Sequence, residues 1–464
     1  MHFLSSFDAM SEFDVAVVGA GVSGLVAARR LAGAGHNVVV LEARPQVGGR
    51  TQLKEVHGLV IDRGGQFLGH TMTHLLALLQ EVGIETKPNE SMRVADRQDV
   101  WYRNGVRSLY RGELPPLPEE TANALLVAIG QLQVMADAVS VDEPWTSPDA
   151  TALDAMTLET WLSQNVTDED VKVILTALFS LALVGAPAQT SLLYALWFIA
   201  SSGGVAALGA DVDMTIRGGA GSLALKLARD LGARVRCDWP VHRIDHGDDG
   251  ARITGTHGHA VTARHLVIAM SPADVRHIRF DPALPTARQA LHATWAQHSV
   301  VKFHAFYETP FWRADNLSGA ALSDEPGAPI VFDGSPEDGS RGILLGFLAT
   351  HGPRLFGGNE PDLLDDLPRL RNHIAQTLGR YFGEKAAAPV DVLIHNWTIE
   401  PYITGIGAAT PPGLLSAFGQ AIRRPVGVIH WAGTETANTW SGWISGAVEA
   451  GERAAQEIPR VLSD

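Results

Sequence analysis

The chain has almost no cysteine. Its one thiol, Cys237, rules out an internal disulfide, which fits a reducing compartment and a cytoplasmic location. A basic excess is also missing: 36 Lys and Arg stand against 51 Asp and Glu, a formal net charge of −15. Nucleic acid and anionic membrane surfaces both select clustered cations, so neither is expected as a partner. Residues 1–11 hold no basic segment leading into an apolar one, and Asp8 interrupts them, so they do not read as a secretory signal. Arg29-Arg30 falls inside the first predicted helix and is no twin-arginine signal. The uncharged run from Ile174 to Ala210 could span a bilayer by length, but Gly185, Pro187, Gln189 and Ser201-Ser202-Gly203-Gly204 break it. It reads as two buried helices and a loop, and no membrane anchor is expected, at the C-terminus included. There is no G-x-S-x-G elbow, no H-E-x-x-H motif, no repeat and no low-complexity segment. The 18 histidines, His57, His70 and His74 among them, show no metal-ligand spacing, so no metal is expected.

What is present is core material: 464 residues, 46% hydrophobic, with a mean hydropathy of +0.05. That length exceeds one ordinary core, so two or more domains are expected. The first fifty residues carry the strongest signal. Phe13-Asp14-Val15-Ala16-Val17-Val18 runs into Gly19-Ala20-Gly21-Val22-Ser23-Gly24, an Ala/Leu/Arg-rich helix, and Val38-Val39-Val40-Leu41-Glu42. This is a βαβ unit with a phosphate-binding turn. Gly19 permits the tight turn, Gly21 lets backbone N–H groups approach a pyrophosphate, and Gly24 lets the helix sit against the strand. Glu42, ending the second strand, stands where a carboxylate binds ribose hydroxyls.

The rest divides by character. Helices are predicted at Thr121 to Val139 and Thr157 to Asn165, with Pro-rich connections around them. A second glycine turn, Arg217-Gly218-Gly219-Ala220-Gly221-Ser222, opens a helix from Leu223 to Leu231. Strands follow at Arg234 to Cys237, Ala251 to Thr256 and His265 to Met270, then at Val300 to Tyr307 and Ile343 to Leu348. Pro368 starts a helix reaching Phe382, with Asp362, Asp365 and Asp366 forming its solvated entrance. Val428 to Gly433 reads as a buried parallel strand, and Trp443 to Ile458 as a helix. The layout predicts an α/β fold: a doubly wound, Rossmann-type dinucleotide domain assembled from residues 12–88, 215–295 and 396–460. An α+β substrate domain, 89–214 and 296–395, is inserted between the pieces. In such a sheet the glycine turns converge at the carboxyl ends of the strands, where ligands bind.

Four blocks, in order, resemble the flavin-containing amine oxidases, nearest the monoamine oxidase branch. They are the N-terminal unit with Gly48-Gly49-Arg50-Thr51; Val301-Lys302 with Tyr307, Pro310, Phe311, Trp312 and Arg313; Asn396-Trp397 with Glu400-Pro401-Tyr402 and Pro411-Pro412-Gly413; and Ala432-Gly433-Thr434-Glu435-Thr436 with Trp440-Ser441-Gly442-Trp443 and Gly446 to Arg453. The resemblance covers nearly the whole chain and implies FAD. The residues themselves favour FAD over NAD. Arg50 is a fixed cation beside the phosphate turn, and the Gly433 turn can aim N–H groups and a helix dipole at an isoalloxazine ring. The resemblance implies FAD contacts from Gly19, Gly21, Val22, Ser23, Gly24, Glu42, Ala43, Arg44, Gly49, Arg50, Gly64, Gly65 and Gln66. It implies further contacts from Val241 through its backbone, and from Trp397, Tyr402, Gly433, Thr434, Glu435 and Ile444.

Lys302 is the main catalytic candidate. Its strand should bury one face, and a buried ammonium is costly enough to need a reason; the family's lysine holds a water at flavin N5 and aids reoxidation. Trp443 matches the aromatic ring that flanks the substrate amine over the flavin. Two departures stand out. The segment Ile403-Thr404-Gly405-Ile406-Gly407-Ala408 has no cysteine, so FAD should be non-covalent. The second cage aromatic is also missing, with Gly407 the nearest match, which leaves room for a bulkier substrate.

The expected activity is oxidation of a small-molecule amine by hydride transfer from the carbon next to nitrogen to flavin N5, hydrolysis of the imine, and reoxidation by O2 to hydrogen peroxide. Two alternatives stay open: a dehydrogenase or desaturase-like flavoprotein with another acceptor, and a flavin-binding protein without turnover. A homodimer is compatible with the sequence.

Overall fold

The computed structural model describes residues 12–89, 96–112, 114–210, 212–297, 300–324, 328–349, 366–407 and 410–459. Residues 1–11, Asp362, Asp365 and Ala408, all invoked above, lie outside them.

The N-terminal unit forms as read. β1 (Phe13–Val18) and β2 (Val38–Leu41) pair in parallel around α1 (Val22–Gly33). Continuous Val/Leu runs suit strands buried on both faces. β3 (Ala260–Ile268) lies parallel to β1 on its other side. The far edge of β3 is shared: Ala260 to Ala263 pair antiparallel with Gly250–Gly255. Leu266 to Ile268 pair in parallel with Ile429–Trp431. The full sheet has eight strands, closed at its ends by Val235–Arg236 and Arg279–Asp281. This sharing aligns the carboxyl ends of β1, β3 and the Ile429–Trp431 strand. Ala269 N donates to Val18 O at 2.9 Å and Ala432 N to Ile268 O at 2.8 Å, so three turns distant in sequence meet at one sheet edge. The C-terminal helix Ile444–Gln456 crosses α1 closely: a Cβ on Gly451 would stand 2.4 Å from Ser23 O.

A seven-stranded second sheet is centred on β4 (Val300–Tyr307), between Asp391–Asn396 and Gly342–Ala349. Here the expectation of one buried face is corrected, because all eight residues of β4 are buried. As an interior strand it has neighbours on both edges, and both faces are covered. Val301, Phe303 and Ala305 pack under the helix Leu367–Phe382, while Phe306, two positions from His304 on the other face, meets Ile61 of the Leu53–Val56/Leu59–Asp62 hairpin.

The charge-free run from Ile174 also differs from expectation. α2 (Glu169–Leu183) begins earlier, with the Asp168 side chain accepting from Asp170 N and Val171 N. Helices Leu192–Ser201 and Val205–Ala210 follow a one-turn 3-10 segment at Pro187. These are three helices rather than two, because Gly203 and Gly204, at φ +92 and +105, break the chain between the second and third. α2 starts early because acids favour a helix's first turn and it uses Glu169 and Asp170 there. All but one residue of Leu192–Ser201 are buried. No helix among the described residues is long and apolar enough to cross a membrane. Asp366 caps the Leu367–Phe382 helix by accepting from Arg369 N at 3.0 Å.

Candidate active site

One cavity runs from the carboxyl edge of the first sheet to the face of the second. It is lined by the two catalytic candidates and by all the FAD-contact candidates except Gly24 and Glu435. Those two act from behind the wall. A Cβ on Gly24 would lie 2.0 Å from Gly19 O and 3.0 Å from the Ala269 Cβ, so only glycine lets α1 start against β1 and β3. Glu435, fully buried, accepts from Arg50 Nη1 at 2.7 Å.

The dinucleotide end is built by the first turn and its reinforcements. Gly19, at φ +101, donates its N–H to Leu41 O at 2.8 Å. Gly21 and Gly49 face each other across the cradle; a Cβ on Gly49 would stand 3.1 Å from Gly21 Cα. No side chain caps the N-terminus of α1, which leaves first-turn N–H groups and a positive dipole end at this glycine cradle. Glu42 is tied into the turn: its carboxylate accepts from Ala20 N at 2.8 Å and Arg44 N at 3.0 Å. Arg44 donates to Gly49 O at 3.1 Å and lies 3.6 Å from Glu400, with its buried Nη1 left without a hydrogen bond. Burial opposes the Arg50 charge, but Glu435 more than offsets it and keeps the guanidinium strongly cationic. An unbonded buried guanidinium nitrogen, a second fixed cation, a glycine cradle and a free helix N-terminus are the donor set a pyrophosphate needs, so the residues fit FAD.

Sequence reasoning missed Trp239, Met270, Ser271 and Asp274, which complete this end of the cavity. The signal is present in Ser271-Pro272, since a proline suits a helix's first turn. The chain leaves β3 there into a short helix, Pro272–Val275, beside the β1 turn, and strand ends at such a crossover line ligand sites. Asp274 binds Thr404 N at 2.9 Å, and burial pushes its carboxyl up.

Lys302 sits where the two sheets meet. On β4 it stands opposite His395 on one side and Phe347 on the other. Its Nζ donates to Asp62 O at 2.9 Å, Gly64 O at 2.8 Å and Gln66 Oε1. Burial pushes its ammonium down to about 7, and the Asp62 carboxylate limits the fall. Burial and the neighbouring Lys302 charge keep His304 neutral, and burial and Arg63 push His395 down to about 3. Lys302 is therefore the titratable member of this trio near neutrality. The Gly64 loop that holds it is equally constrained: a Cβ there would strike Arg50 O at 1.9 Å and the Trp397 ring at 2.7 Å. Trp397 is fully buried and donates to Arg63 O at 3.1 Å.

Beyond Lys302 the cavity becomes an apolar chamber of Phe67, Leu181, Ile330, Phe347, Ile403 and Ile406. Trp443 forms its wall as the residue preceding the C-terminal helix. The indole N–H donates to Ala182 O at 2.8 Å, and Thr434 donates to the Trp443 carbonyl at 2.9 Å. Among the described residues, the acids lining the cavity are Glu42 and Asp274, both of which help build the dinucleotide end. Gly407 corrects the expected room. At φ +84 it packs on the end of α2, where a Cβ would lie 2.4 Å from Val184 O. Val184, itself at φ +49, fills the space that a larger side chain at 407 would take. The chamber is therefore shaped by a helix end in place of a second aromatic wall.

His57, His70 and His74 lie against Asp391, Asp213 and Glu452, away from the cavity. Cys237, half-buried, is not among its lining residues.

Comparison with known proteins agrees with this arrangement. The family model for flavin containing amine oxidoreductase matches residues 22–459. The Mycobacterium tuberculosis protein AofH, whose name assigns it to the flavin-containing monoamine oxidases, is 37% identical over 461 residues, covering 97% of each chain. Amine oxidase B of Sus scrofa is 33% identical, with 97% of this chain and 86% of that protein covered. Among solved structures, cyclohexylamine oxidase from Brevibacterium oxydans IH-35A superposes with a TM-score of 0.87 at 33% identity, covering 96% of this chain and 98% of that one. Putrescine oxidase bound to putrescine gives 0.89 at 30%, with the same coverage. With Lys302, Trp443 and all of the cavity lining except Val18, Gly19 and Gly21 inside the matched region, the chain belongs to the flavin-containing amine oxidoreductases and is an FAD-dependent amine oxidase.

Proposed function

We propose that the substrate is a monoamine with an apolar body, oxidised to an imine that water hydrolyses to a carbonyl compound. The observation that carries this reading is the single cavity joining the dinucleotide turn, Lys302 and Trp443 to a chamber that no carboxylate of the described residues enters. A second ammonium, as in a diamine, would be desolvated there without a counter-charge, at prohibitive cost. A neutral monoamine enters with only apolar surface to bury.

When bound in the cavity, FAD would supply the acceptor for hydride from the carbon next to nitrogen and the chemistry by which that electron pair reduces O2 to hydrogen peroxide. The chain's residues bind and orient. Arg44, Arg50 and the α1 N-terminus would hold the pyrophosphate, Glu42 the ribose, and the Gly433 turn with Thr434 and Ile444 the ring end. Trp443 presents an aromatic wall that orients the amine nitrogen. Lys302 holds an exchangeable proton beside the reacting end, poised by a pKa near neutrality, and once deprotonated it offers a lone pair that accepts from a water. No general base need touch the substrate, because the chamber admits the amine already deprotonated. FAD is held non-covalently, since residues 403–407 offer no thiol and Cys237 does not line the cavity. The reading assigns 12–88, 215–295 and 396–460 to cofactor binding, and 89–214 and 296–395 to the substrate. The test is peroxide release from the purified holoenzyme with cyclohexylamine, 2-phenylethylamine and putrescine. Turnover of the monoamines with putrescine near background supports the proposal, and preference for putrescine sinks it.

A further inference from the structure

We infer that Ser180 is a specificity-determining residue that reads one neutral hydrogen-bonding group, a hydroxyl, on the apolar body of the amine. The inference rests on the monoamine reading above and deepens it. Ser180 lies in the last turn of α2, is 6% exposed and lines the cavity. Its Oγ is buried and has no hydrogen-bond partner among the described residues. A helical serine ordinarily relieves that cost by bonding the carbonyl four residues back, and this one does not. Val184, one turn on, shares its face and also lines the cavity. Leu181 packs with Phe67, Phe332 and Trp443. The hydroxyl therefore belongs to the same chamber as the amine-orienting tryptophan, in a wall that is otherwise apolar.

A hydroxyl both donates and accepts, so Ser180 can satisfy a substrate hydroxyl and be satisfied by it. A substrate without such a group leaves Oγ buried and unpaired, and the penalty falls on that substrate alone. A charged group gains nothing comparable, because a single neutral hydroxyl does not repay desolvating an ion.

The test compares matched amines on the holoenzyme: 2-phenylethylamine against its 4-hydroxy derivative, and cyclohexylamine against 4-aminocyclohexanol. Wild type should favour the hydroxylated member of at least one pair by about tenfold in kcat/KM, the worth of one net hydrogen bond. The same ratio should appear in Kd, read anaerobically from the perturbed flavin spectrum with a slow substrate. Ser180→Ala should bring the ratio near one by raising KM for the hydroxylated amine and not for its partner. Ser180→Cys, similar in size but a poor hydrogen-bonder, should do the same and decides the matter if the alanine variant folds poorly. Turnover of the plain amines with no discrimination in either pair overturns the role of Ser180 and leaves the monoamine reading standing. So does a ratio that survives both substitutions. Failure to oxidise any of the four amines overturns both.

Discussion

Lys302 donates to three oxygens contributed by residues 62, 64 and 66, more than 230 positions away in the chain. The strand Val300 to Tyr307 and its lysine are legible in the sequence. The acceptors are not, because nothing local links them to β4. Lys302→Met should leave anaerobic flavin reduction by an amine within a few-fold of wild type and slow reoxidation by air about a hundredfold or more, within the 10²–10⁴ range of a positioned proton-transfer group. Stopped-flow measurement of the two half-reactions separates these. The pH dependence has a definite sign. In the unfolded chain this ammonium keeps its proton up to its usual 10.5, while in the fold it loses it at about 7. Between those values the unfolded state binds more protons, so this group makes stability rise with pH. Denaturation of wild type and Lys302→Met from pH 7 to 9.5 should show that slope only in wild type. Gly407 offers a second check. Gly407→Tyr should not build an aromatic cage, because its φ of +84 and the Val184 carbonyl 2.4 Å away oppose any Cβ. A loss on the order of 2 kcal/mol, read as a lowered thermal midpoint with weaker amine turnover, is expected.

At the level of elements, α2 carries the chamber wall, and its start depends on Asp168 accepting from two first-turn N–H groups. Asp168→Ala should cost about 1 kcal/mol, with KM for the amine rising while the flavin spectrum stays unchanged. Helix starts marked by a cap or a proline were legible: Thr157 caps Leu158–Asn165, and Pro368 sits in the first turn of Leu367–Phe382. The start of α2 is obscured because the uncharged run begins only at Ile174, while the dipole draws Glu169 and Asp170 into the helix's first turn. The chamber wall was the least legible part. Ser180, Leu181 and Val184 read as one face of a buried helix, and only the meeting of that helix end with Gly407 and Trp443 turns the face toward a ligand.

Over the whole molecule, the cavity exists because β3 shares its edge between an antiparallel neighbour and the Ile429–Trp431 strand. The Gly19 and Gly433 turns thereby meet although more than 400 residues separate them. The glycine spacing announced both turns, but which strand lay between them was a tertiary fact. A cofactor bound across several remote segments stabilises them together. FAD at a hundred times its Kd should add about 2.7 kcal/mol, visible as a thermal midpoint that climbs with FAD concentration. Acid precipitation should leave all the flavin in the supernatant, and flavin retained on the protein would contradict non-covalent binding. The most direct test of the account is anaerobic mixing of the yellow holoenzyme with an apolar monoamine such as cyclohexylamine. Bleaching of the oxidised-flavin absorbance, restored by air with one equivalent of hydrogen peroxide, is the predicted result. A flavin that stays oxidised with every apolar monoamine but bleaches with putrescine would contradict the reading of the chamber.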